Sequence, residues 1–193
     1  MRSKKIMIYT LDLKLVGLVV GFALLISHLL GIIHGNTIQG WVKAFPRSKI
    51  MGMVLISIAG LWAFWLVTTM DLGEFTSYRT GLMILVPVAY VLTVMFVDEF
   101  LSVRALGMLM LLLAEPILEA AFLQPQTSRL LLVVLAYVWI VLGMFWVGMP
   151  YLMRDQIAWV LKSKGRWSAL CISGAVYGAA VVVCALLFYG KAS

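Results

Sequence analysis

Charge is what this sequence has least of. Only 12% of its 193 residues are Asp, Glu, Lys or Arg, where a soluble domain carries roughly a quarter. No polar block is long enough to fold by itself, so residues 1–193 read as one integral membrane unit. Cysteine occurs only at Cys171 and Cys184, on one apolar segment. Helical rise puts those thiols about 20 Å apart, too far for a disulfide, and two cysteines offer no thiolate metal set. Also missing are a Ser-His-Asp spacing, G-x-S-x-G, H-E-x-x-H and a phosphate loop, so hydrolase and nucleotide chemistry have no motif. The net charge of +7 comes from short loops between apolar runs. No basic stripe interleaved with aromatics exists, which excludes nucleic acid and points to anionic lipid head groups.

What is there is hydrocarbon. The chain is 64% hydrophobic with a mean hydropathy of +1.07. Windows of about 20 apolar residues cross a bilayer, and they occur at 13–35, 50–70, 81–97, 105–123, 130–149 and 168–190. The expected fold is an all-α polytopic membrane protein with about six transmembrane helices. The first run is too long for a signal peptide and "GIIHGN" lacks a small-x-small cleavage site, which predicts a retained first helix. Integral placement in the plasma (inner) membrane is the expectation.

Loop charges do not orient these spans. Six crossings put Arg2, Lys4, Lys5, Lys14, Arg79, Arg129 and Lys191 on one side. Lys43, Arg47, Lys49, Arg104, Arg154, Lys162, Lys164 and Arg166 fall on the other. The positive-inside rule finds no winner there. Five crossings, with Glu115-Pro116 opening 105–123 into a re-entrant or broken helix, would instead gather the two strongest basic clusters on one side.

Residues 150–164 predict an interfacial amphipathic helix. Pro150 suits a first turn, and Met153, Ile157, Val160 and Leu161 share a face with Asp155 and Lys162 opposite. Arg154, Lys162, Lys164, Arg166 and Trp167 are the expected lipid head-group contacts.

Small residues mark a seam. Gly17, Gly21, Leu24, His28, Gly31 and Gly35 follow a 4-3-4-3-4 spacing that keeps one face toward a partner helix, and Gly174 and Gly178 repeat the device in the last span. Glycines let helices approach where lipid supplies no hydrophobic drive. They predict tight packing within the chain, or assembly as a homo-oligomer or membrane-complex subunit. His28 sits on the seam as an interhelical hydrogen-bonder. Bis-His haem ligation would require a symmetric dimer donating His28 from each copy, and no cofactor is otherwise expected.

One stretch breaks the hydrocarbon. In "LLLAEPILEAAF", Glu115 lies near the bilayer centre and Glu119 one turn nearer the surface on the same face. An ionised carboxylate at the centre costs about 2.5–3.5 kcal/mol, and two cost more, so at least one is expected to stay protonated. Pro116 cannot donate to the Leu112 carbonyl, leaving a free oxygen beside the carboxyls. Glu115, Glu119 and the Leu112 carbonyl are therefore candidates for a proton or cation site. The packing alternative gives Glu115 a partner among Ser57, Tyr90, Thr93 and His28, with Glu119 snorkelling to the interface. No metal-ligand set accompanies them. A non-enzymatic assembling subunit and a small proton- or cation-coupled transporter are the leading functional expectations, with a haem- or quinone-binding subunit using His28 as a third.

Overall fold

The computed structural model describes residues 9, 11–96 and 100–189. Its regular elements there are all helical. Six are long and apolar enough to cross a membrane: α1 (Leu13–Ile33), α3 (Lys49–Thr69), α4 (Arg79–Phe96), α5 (Leu101–Ala121), α6 (Leu130–Gly148) and α8 (Lys164–Leu187). The chain is thus an all-α polytopic membrane protein. Two shorter helices, α2 (Gly35–Ala44) and α7 (Tyr151–Leu161), join α1 to α3 and α6 to α8.

Local chemistry sets the ends. The Asp12 carboxylate accepts from the Lys14 amide at 3.2 Å and starts α1, while the Ser48 hydroxyl accepts from Met51 at 3.3 Å and starts α3. Such caps satisfy backbone donors that a helix start leaves open. His34 leaves helical dihedrals (φ −110°, ψ 38°), so the chain turns there and α2 begins at Gly35. Pro46 lies in the 3-10 turn that ends α2.

Two of the sequence expectations change here. Helix α5 runs unbroken through Pro116, so 105–123 is neither re-entrant nor broken. A proline removes one ladder bond, and the neighbours packed on α5 hold the helix through that gap. Helix α2 occupies the stretch between the first two spans where the sequence predicts a loop. Its signal is faint: Ile38 and Val42, one turn apart, are half-buried while Trp41 is exposed.

The core lies where α1, α5, α6 and α8 converge. Leu13 and Val16 meet Ala114, Ile117, Leu132, Ala136, Val181 and Tyr189 there. Helix α3 packs on α5 from outside this core, and α4 packs chiefly on α3. Six crossings leave α2, the start of α5 and α7 on one membrane face. The Ser102 hydroxyl, donating to the Phe45 carbonyl at 2.7 Å, ties that face together.

Candidate functional site

The glycine seam closes within the chain. A side-chain carbon at Gly17 would lie 2.9 Å from the Tyr189 ring, at Gly21 2.8 Å from Val182, and at Gly178 2.7 Å from the Leu25 backbone nitrogen. Backbone cannot retreat as a flexible side chain does, so α1 and α8 need glycine at Gly178. Gly31 meets the Cys171 thiol, and both cysteines are free. Any side chain at Gly174 would overlap the His28 imidazole. His28 donates from Nδ1 to the Leu24 carbonyl at 2.8 Å. It therefore packs against α8 of its own chain. A second close crossing, Gly107 on Gly143, joins α5 to α6 and was not singled out from the sequence. Gly107 is alone in α5, and Gly143 and Gly148 are five apart in α6, so neither helix carries a periodic glycine signal.

Trp167 is corrected. It was expected among head groups, yet it is 9% exposed and its Nε1 donates to the Gly31 carbonyl at 3.0 Å. The absent side chains at Gly31 and Gly35 open the slot that receives the indole, and a buried indole N–H needs such an acceptor.

The two glutamates have a neighbour that the sequence did not suggest. The Tyr9 amide donates to Glu119 Oε2 at 3.1 Å, and the Trp62 indole donates to the Tyr9 hydroxyl at 2.7 Å. The Tyr9 ring also stacks at a tilt on Trp65, with centroids 5.8 Å apart. Tyr9 thus reaches the last turn of α5 and the outer half of α3. Burial pushes the Tyr9 phenol up, the Trp62 hydrogen bond opposes this, and the charges of Glu115 and Glu119 add to the rise. The only hint in the sequence was an aromatic just ahead of the first span.

The partners anticipated for Glu115 are engaged elsewhere. Ser57 bonds the Tyr90 hydroxyl at 2.9 Å, Thr93 donates to the Ala89 carbonyl at 2.7 Å, and His28 is held by Leu24. The α5 terminus is completed by Arg129, which donates to the Ala121 carbonyl at 2.7 Å, a cation at the negative end of a helix. Among the described residues, no group of three His, Cys, Asp or Glu side chains converges. Leu112 lines an apolar cleft of about 340 Å³ between α3, α4 and α5, and a second cleft of about 340 Å³ opens between α3 and α4 beside Ser57 and Pro87. Neither glutamate lines either cleft.

The basic residues divide by position. Arg154 and Lys162 line a cavity of about 440 Å³ with Lys43 and Arg47, two residues not singled out as head-group contacts from the sequence. Arg166 lies 4.3 Å over the Trp159 ring and donates to the Trp159 carbonyl at 3.1 Å. Lys164 is exposed at the first position of α8. Lys162, the C-cap residue of α7, lines the same cavity as Ile157.

No protein-family model matches the chain, and neither a curated protein nor a solved structure is significantly similar to it.

Proposed function

We propose that the chain is a non-enzymatic integral membrane subunit that assembles, with copies of itself or with larger membrane partners, through the α3/α4 side of the bundle. The supporting observation is α4. It contains no buried residue, although Gly81, Ala89 and Thr93 give it the small side chains that close helix packing uses. The glycine faces of α1 and α8 occupy each other, which leaves the clefts beside α4 as the unfilled packing surface. The subunit keeps its first helix as a span and rests its basic loops on anionic lipid.

Ala89→Trp tests the assembly. It is exposed and lines the α3/α4/α5 cleft, so a tryptophan fills the space a partner side chain would take. The particle is expected to shrink on a native gel, while Val141→Trp on the exposed side of α6 leaves it unchanged. Equal behaviour of the two variants would remove α4 from the interface.

A second reading is supported by the clustering of Tyr9, Glu119 and Glu115. In it Glu115 holds a proton or cation and Glu119 relays it toward the membrane face. Glu115→Gln, which keeps shape, is expected to assemble normally in both readings. Loss of pH-dependent flux in that variant would favour transport. If flux is absent from the unaltered protein and Glu115→Leu disrupts assembly, the carboxyl is a packing group.

A further inference from the structure

Helices α2 and α7 lie side by side on one membrane face. Each turns a tryptophan outward, Trp41 at 66% and Trp159 at 60% exposure, as interfacial anchors do. The cavity between them, about 440 Å³, falls in the range of about 300–1,000 Å³ common to small-ligand sites.

Its chemistry is one-sided. Lys43 comes from α2, Arg47 from the following turn, Arg154 from α7 and Lys162 from its C-cap, and no acidic residue lines the wall. Asp155 engages Arg154 at 2.8 Å, but both side chains are half exposed, so that pair is weak. Lys43, Arg47 and Lys162 share the lining with an apolar floor of Pro46, Ile157, Ala158 and Leu161. On α7, positions 154, 157, 158 and 161 form one helical face, and Lys162 follows at its C-terminal end. That face looks into the cavity and alternates cationic ends with apolar surface.

We infer that this cavity binds the phosphate group of an anionic phospholipid, with its glycerol and first acyl carbons on the apolar floor. A phosphate brings the negative charge that several cations require, and guanidinium groups take it by paired hydrogen bonds. The apolar floor and the interfacial depth select a lipid over a soluble anion. Basic pockets at this depth are a known way to hold such head groups. The inference rests on the reading that the basic loops meet lipid, and makes that contact a built site.

The test uses the whole protein in detergent, with phosphatidylglycerol or phosphatidylcholine titrated in and bound lipid counted by native mass spectrometry. Phosphatidylglycerol binds in preference to phosphatidylcholine, and Arg47→Gln with Lys162→Gln weakens it by about 25-fold. Lys164→Gln, outside the cavity, shifts it less than about twofold. The charge-preserving pair Arg47→Lys with Lys162→Arg keeps most of the binding, which separates lost charge from a lost fold. Equal small losses in the double variant and in Lys164→Gln would overturn the site while leaving diffuse lipid contact standing. Equal binding of both lipids would overturn both. Displacement of the lipid by millimolar inorganic phosphate would assign the cavity to a soluble anion and contradict the inference.

Discussion

Helices α4 and α5 follow one another in the chain and are equally greasy, yet they live in different surroundings. The spans that contain them have the same peak hydropathy of 1.8, but half of the α5 window is buried and none of the α4 window is. Hydropathy measures affinity for the bilayer, and both helices satisfy it. What separates them is the placement of small side chains. Ser102, Ala105, Gly107, Ala114, Ala120 and Ala121 are buried on α5, so α3, α6 and α1 all approach its backbone. The exposed positions of α4 include the bulky Ile84, Leu85, Val88, Leu92 and Phe96, and no helix of the same chain buries any residue of α4. Inside a membrane, packing rather than hydrophobicity decides which helix is central.

The largest effect should come from breaking the buried side. A side chain at Gly107 would lie 2.8 Å from the Gly143 carbonyl, whereas at Gly81 on α4 nothing lies within 4 Å. Gly107→Val should destabilise by about 3 kcal/mol in thermal unfolding, since backbone cannot give way. Gly81→Ala should stay within about 1 kcal/mol of the parent, on the stabilising side. Similar losses at both positions would erase the contrast between the helices.

Tyr189 gives a pH-dependent test of the same core. It lies beyond the last span, 2% exposed, and donates to the Ser128 carbonyl at 2.7 Å. Burial, above all, pushes its phenol up to about 12, against about 10 in an unfolded chain. The folded state therefore holds this proton more tightly. Its contribution is complete below pH 10 and lost as pH rises to 12. Melting temperature should fall across that window, and Tyr189→Phe should flatten the fall.

On the open side the effect should be smallest. The hydroxyl bond from Tyr90 to Ser57 links α4 to α3, and interhelical bonds in membranes average about 0.6 kcal/mol. Tyr90→Phe should cost about that much. It should raise hydrogen exchange along α4 and leave α5 unchanged, as measured by mass spectrometry.

Span positions were legible because apolar runs of the right length announce themselves, and so was the short helix ahead of α8. The packing partner of each face was not. Gly17, Gly21 and Gly178 declare that something comes close, but not that α1 and α8 meet across more than a hundred residues. Trp167 shows the same limit, since an aromatic at a span end looks like an anchor until Gly31 accepts its N–H. The alternative of a break at Pro116 rests on the local rule alone, which ignores the helices that hold α5 in place. At the candidate sites, Glu119 was visible as a charge in hydrocarbon. Tyr9 was not, because its contact runs through a backbone amide. Lys43 and Arg47 were seen only as loop charge, because the cavity exists only once α2 and α7 lie together.

The most direct measurement is the native mass of the gently solubilised particle. Assembly through α4 predicts a defined multiple of the 21.4 kDa chain, or a constant co-purifying partner. A monomer that carries only lipid would contradict it and leave α4 facing the bilayer.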